Sequence, residues 1–293
     1  MKKINLALEW FLNPDHLPII VGLQKGEYKK ANIDLNIIVP KEHYDGFEEL
    51  SKCTIDIHCN EPIHLFEHYF EEIKSLGCFF ETRGGVMIRK TSIMKLINNE
   101  KIKITTPAAN EITNKIGFEI LKRYAKKEGF PLSKDNVEFI ETDFWHIQNM
   151  KNNNSFDGAW LCFYNFEGIE AEHENFENLF IDQNLSPYPN FSALEFITSS
   201  KIMEEKGDEL SNFIKITEEM SKYCKENIEE AKDIYYEYSK EEKSELMDKI
   251  IEDTIPRLKN EISPNRDKWL KLSHFLEELK VIKLNKENYN NIW

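Results

Sequence analysis

Apolar positions recur with two different periods in the first half of the chain. Ile4 to Trp10 is apolar at most positions and reads as a strand, whereas His16 to Gly26 carries Leu17, Ile20 and Leu23 at helical spacing. Pro18 is compatible with a first helical turn and Gly26 with a helix end. Ile33 to Val39 alternates as a strand. A short helix over Phe47 to Ser51, a strand over Thr54 to Cys59 and a helix over Ile63 to Glu72 follow. Strands are then expected over Ser75 to Phe80 and Gly85 to Arg89. This alternation predicts a mostly parallel sheet covered by helices on both faces.

A second unit of the same kind begins near Lys101. "KIKITTPA" is a strand running into a turn, "NEITNKIGFEILKRYAKKEG" a helix closed by Gly129, and "VEFIET" the next strand. A polar break at "NNNSFDG" precedes the apolar run "AWLCFYN". After Pro187 and Pro189 one more strand, Ala193 to Thr198, leads into a tail that is almost wholly helical. The expected organisation is a discontinuous first lobe (residues 1–92 and 187–293) with a second lobe (93–186) inserted, and a small ligand in a cleft between them.

The chain has 293 residues, enough for one large or two ordinary domains. A net charge of -14 without a basic, aromatic-interleaved patch argues against a nucleic-acid partner. The acidic stretch "SKEEKSELMDKIIED" reads as a solvated helix surface. No apolar run of about 18 residues is present, so no membrane span is expected. Five cysteines without CxxC spacing read as buried, reduced thiols and give no support to a zinc site. With no leader visible after Met1-Lys2-Lys3, the expected location is cytoplasmic, or periplasmic or surface-attached if an exporting segment preceded this sequence.

Chemistry concentrates first in "EWFLNPDH". Trp10, Asn13 and His16 fall within seven residues at the carboxyl end of a strand, where open α/β sheets bind ligands. Asn13 can cap the helix or pair with a ring edge, and Trp10 can face a ligand or the core. Asn60, Glu61 and His64 follow the end of another strand. His58, His64 and His68 lie within eleven residues. His64 and His68 are spaced i, i+4 as a metal pair would be, but without a further ligand at suitable spacing, so no metal is assigned. Thr105 and Thr106 precede a glycine-free turn into a helix, which favours plain capping over a phosphate cradle. Trp160, Tyr164, Tyr188 and Phe191 are further aromatic candidates for contact with a ring.

"LEWFLNPDHLPIIVGLQKGEYKKANIDLNIIVP" and "TIDIHCNEPIH" resemble the opening of the thiamine-pyrimidine-precursor proteins. That group includes bacterial solute-binding proteins for pyrimidine precursors, relatives that bind sulfonates, and the fungal suicide synthase of the thiamine pyrimidine phosphate. "SPYPNFSALEFITSSKIMEEKGDELSNFIK" and the Trp-bearing tail "IPRLKNEISPNRDKWLKLSHFLEELKVI" extend the likeness. The resemblance implies a two-lobe, type II periplasmic-binding-protein-like α/β fold. It would have two parallel-rich sheets with flanking helices, a helical C-terminal segment, and Trp10 and His16 lining a cleft.

The synthase branch places an imine-forming lysine four residues before a histidine that donates atoms to the product. Here those positions are Asn60 and His64, and an amide cannot form a Schiff base. The branch's iron-associated cysteine cluster has no counterpart in "LSPYPNFSALEF". No cofactor is therefore expected; pyridoxal phosphate and iron belong only to the enzyme alternative. The binder branch carries an acidic residue for the pyrimidine amine where this chain has Ala193, which leaves Glu195 or Glu61 to take that part. The resemblance thus implies binding of a hydroxymethyl- or formylamino-pyrimidine for uptake or thiamine biosynthesis. The partners are a small heteroaromatic ligand and, in an import role, an ABC permease. The alternatives are a cytoplasmic biosynthetic enzyme and a binder of a sulfonate or other small anion.

Overall fold

The computed structural model describes residues 1–41, 44–282 and 289–293. The chain divides into two compact units. The first holds Met1–Glu81, Phe191–Ser273 and residues 289–293, and the second Thr82–Asn190 and residues 274–282.

The first run of chain supplies β1 (Lys2–Ala7), α1 (Leu17–Gln24), α2 (Glu27–Lys30), β2 (Ile33–Ile38), α3 (Gly46–Ser51), β3 (Ile57–Asn60), α4 (His64–Glu67) and β4 (Ile73–Glu81). The middle run supplies β5 (Gly84–Arg89), α5 (Ile93–Ile97), β6 (Ile102–Thr106), α6 (Glu111–Glu128), β7 (Val137–Glu141), α7 (His146–Asn152), β8 (Gly158–Phe163), α8 (Ile169–His173) and β9 (Asn178–Ile181). The last run supplies β10 (Ala193–Ser199), α9 (Ser200–Glu226), α10 (Ile228–Ser239), α11 (Glu245–Thr254) and α12 (Arg266–Glu278).

In the first unit the strand order is β2-β1-β3-β10-β4. β1 runs parallel to β2 and β3, while β10 is antiparallel to β3 and β4. Every residue of β10 is buried, because it lies between two strands in the middle of a covered sheet. Its Phe196 stacks on Phe79 at 4.2 Å and meets Phe213 of α9 edge-on at 5.0 Å. Tyr28 closes this core, its hydroxyl 3.0 Å from that of Thr217.

In the second unit the order is β7-β6-β8-β5-β9, with β6 parallel to β7 and β8, and β5 antiparallel to β8 and β9. Met87, Ile147, Met150, Phe156, Ala159 and Cys162 pack together within it.

Several expectations are corrected. Both sheets are mixed rather than mostly parallel, because β10 and β5 each enter against the direction of their neighbours. The strand expected last in the first lobe is β5, whose hydrogen-bonding partners β8 and β9 hold it in the second unit. The helix expected over Ile63 to Glu72 shortens to α4, since the chain turns at residues 69–72 to enter β4. Cys53 is only half-buried; the other four cysteines are buried, and all five are free thiols. Among the described residues no helix is long and apolar enough to cross a membrane.

Candidate functional site

β1 and β3 pair in parallel with Leu6 opposite Ile57 and Ala7 opposite His58, so the segments leaving both strands emerge at the same end of the sheet. Polar side chains are therefore gathered at one carboxyl edge. In the first segment Asn13 Oδ1 accepts the Asp15 N–H at 2.9 Å, and His16 Nδ1 accepts the Asn13 N–H at 3.3 Å. This is a capping box with histidine in the place usually taken by Glu or Gln. The N–H aimed at Nδ1 fixes the ring proton on Nε2, which donates to Glu9 Oε2 at 3.1 Å.

His16 is wholly buried, with both nitrogens engaged, while 14% of the Glu9 side chain is exposed. The group offered outward is thus the Glu9 carboxylate, and His16 holds it. Burial alone would raise the Glu9 carboxyl, but the His16 ring more than offsets this, with help from the Cys59 thiol, and holds it below the usual carboxylate range. Asn13 is buried in its cap, whereas Trp10 is 48% exposed beside Glu9 in sequence.

In the second segment His58 Nδ1 donates to the Ala7 carbonyl at 3.2 Å, leaving Nε2 to accept from Asn60 Nδ2 at 2.9 Å. Asn60 Oδ1 accepts the Glu61 N–H at 2.8 Å. The Asn60 amide is thereby committed to shaping the turn. The Glu61 carboxyl is pushed up to about 7, first by burial and also by Glu9 and Glu67, against the pull of His64. His64 Nδ1 lies 2.7 Å from Glu67 Oε2. Burial works against its imidazolium, but Glu67 and Glu61 outweigh that and raise the ring's pKa.

The pyridoxal phosphate of the synthase branch needs an amine where Asn60 stands. An amide already bonded to His58 and Glu61 does not fit that group.

The other expected contacts lie elsewhere. Glu195 is fully buried, its Oε1 accepting from Ser75 Oγ at 2.8 Å and Trp269 Nε1 at 2.7 Å. On the interior strand β10 it lies level with Asn60 but is closed in by Ser75 and Trp269, and Phe191 is buried too. In the second unit Thr105 and Thr106 are buried, their hydroxyls bonded to Thr142 Oγ1 and to the Ala108 carbonyl. The cap of α6 is Asn110. Trp160 is a core indole whose Nε1 donates to the Thr113 carbonyl at 3.1 Å. Tyr188 bonds the Gly84 carbonyl, and Tyr164 lies under the Arg83 guanidinium at 3.6 Å with its hydroxyl on Glu172.

The first unit thus brings together Asn13, His16, Asn60, Glu61 and His64, adds Glu9, Cys59 and Glu67, and has Trp10 next to Glu9 along the chain. Glu9 had a signal in the sequence, as the one carboxylate closing the apolar run from Leu6 to Trp10. A cavity of about 430 Å³ in the same unit is lined by Glu81, Lys259 and Lys268 among others. Both lysines pair with Glu81.

The architecture is that of a two-lobe periplasmic-binding protein. The sulfonate-binding protein SsuA of Escherichia coli superimposes with a TM-score of 0.73 at 11% identity, over 100% of this chain and 98% of that one. The alkanesulfonate-binding SsuA of Xanthomonas axonopodis gives 0.69 at 10% identity, over 99% and 98%. The NMT1/THI5-like family model matches residues 13–231, and the chain belongs to that family. A Haemophilus influenzae protein named for thiamine biosynthesis is 22% identical over 263 residues, 88% of this chain and 81% of that protein. The 4-amino-5-hydroxymethyl-2-methylpyrimidine phosphate synthase of Legionella pneumophila is 25% identical over 288 residues, 96% and 87%.

Proposed function

We propose that the protein binds a thiamine-type 4-aminopyrimidine, with Glu9 and Glu61 reading its edge, and performs no chemistry on it. The observation that carries this reading is the split pair of carboxyls: His16 keeps Glu9 ionised, while Glu61 holds a proton up to about pH 7. An aminopyrimidine edge places an amine donor beside a ring-nitrogen acceptor. Ionised Glu9 accepts from the amine and protonated Glu61 donates to the ring nitrogen. The exposed indole of Trp10 offers a stacking face.

The family and the thiamine-related relatives support the ligand class, and the fold supports binding. In an import role the partner would be an ABC permease; one structural neighbour, from Staphylococcus aureus, is named as the ligand-binding component of such a system. No cofactor is needed for binding. The test is thermal stabilisation and calorimetry with 4-amino-5-hydroxymethyl-2-methylpyrimidine at ~1 mM, about the weakest affinity worth calling a site. Stabilisation that Glu9→Gln abolishes is expected; the reading fails if no aminopyrimidine shifts the transition.

The likeness to the Legionella synthase and the histidine at position 64 favour a second reading, a suicide synthase. It requires His64 to change mass after incubation with pyridoxal phosphate and iron. An intact mass after full loading dismisses it.

A further inference from the structure

We infer that α4 and its C-terminal cap form a binding site for one borderline divalent transition-metal ion, held by His64, Glu67 and His68. One ligand atom from each of the three residues lies within 4.8 Å of the others. The spacing i, i+3, i+4 puts all three on one face of a single helical turn, and Glu67 supplies the third ligand that the sequence reading did not assign to the histidine pair. The rings of His64 and His68 are 5.8 Å apart. Phe47 stacks on His68 at 4.9 Å and 9°, which restricts that ring before any ion arrives. The His64 side chain is 36% exposed and His68 is exposed, so an ion has a way in.

Two imidazoles and one carboxylate suit Zn²⁺, Fe²⁺, Co²⁺ or Ni²⁺ rather than Mg²⁺ or Ca²⁺, which prefer all-oxygen shells. His64 Nδ1 and Glu67 Oε2 already face each other at 2.7 Å. On binding, the proton they share leaves to solvent and the cation takes its place, with both atoms about 2.0–2.2 Å from it. Three protein ligands on one side leave open positions for water or for a nitrogen donor of a small molecule. The other trio of this kind among the described residues, Glu9, His16 and Cys59, is a poor rival. Both His16 nitrogens are engaged, and burial and the Glu9 charge keep the Cys59 thiol protonated.

The inference rests on α4 alone and stands or falls apart from the pyrimidine reading. The experiment titrates chelator-treated full-length protein with Co²⁺, followed by visible d–d absorption, and then with Zn²⁺ in competition. One equivalent is expected. Glu67→Gln and His68→Ala should each weaken Co²⁺ binding by about 100-fold, the upper range for disturbing a metal shell, while Cys59→Ser leaves it unchanged. His68 is exposed and Glu67→Gln is nearly isosteric, so the fold survives and circular dichroism checks it. Less than one equivalent in the unaltered protein overturns the site, as does an affinity unmoved by His68→Ala or a cobalt–thiolate band lost with Cys59→Ser.

Discussion

Both nitrogens of His16 are engaged inside the protein, and this changes what its substitution should do. His16→Ala removes the Nδ1 acceptor of the capping box and the donor to Glu9, at a cost of about 1–2 kcal/mol. It also frees the carboxylate, so aminopyrimidine affinity should fall at least tenfold in calorimetry. His16→Gln restores a side chain of the usual capping-box type and should recover stability more than affinity. Glu61 makes the pH dependence testable. Its donor proton is present below about 7 and lost above it, so binding should weaken as pH rises from 6 to 8.5. Glu61→Gln, a donor at every pH, should flatten that profile. A wild-type affinity that does not fall with pH would remove Glu61 from the donor role.

At the scale of elements, α3 presses on the end of β3. A Cβ at Gly46 would stand 2.4 Å from His58 Cε1, and that ring is pinned on both nitrogens by Ala7 and Asn60. Gly46→Ala should therefore cost ~1–3 kcal/mol in urea unfolding, as overpacking in a fixed site does, and disturb the Asn60–Glu61 turn with it. Local order of this kind was partly legible in the sequence. Asn13 reads as a helix cap and is one, and Gly26 and Gly129 close helices with φ of +73° and +83°. The commitment of Asn60 was not legible, because its partner His58 takes its tautomer from the Ala7 carbonyl on a neighbouring strand, 51 residues earlier.

Across the whole molecule, buried and half-buried titratable groups set opposing slopes of stability with pH. Glu61 and Glu195 are raised from 4.5 to about 7 and Glu167 to about 8, all chiefly by burial. Each contributes stability that is complete below 4.5, its ordinary value, and is lost as pH rises through the folded value. His58 and His146 run the other way. Burial lowers both from 6.5 to about 4, so their contribution is complete above 6.5 and is lost as pH falls toward 4. Above pH 6.5 the raised carboxyls change together with His16 and His64, whose rings burial would lower but their acidic neighbours raise. All of them lose stabilisation as pH rises, and Tm should decline from pH 6.5 to 8.5. Glu195→Gln keeps the acceptor for Ser75 and Trp269 and removes the buried charge. At pH 8.5 it should be more stable than the parent by on the order of 1–3 kcal/mol, with little difference near pH 5. Equal Tm values for the two proteins at pH 8.5 would refute this account.

The sequence by itself determined the periodicities, the caps at Asn13, Gly26 and Gly129, the α/β class and the family, because these depend on residues near one another along the chain or on a contiguous motif. Only the tertiary structure decided that both sheets are mixed, since β10 inserts between β3 and β4 after more than a hundred intervening residues. It also decided which polar groups look outward. Glu195 shares the register of Asn60 yet is closed in by Ser75 and Trp269, while Glu9 is left partly exposed by a histidine seven residues away. Burial and hydrogen-bond partnership come from packing between distant segments, and they separate a ligand-facing carboxylate from a core one of the same chemistry.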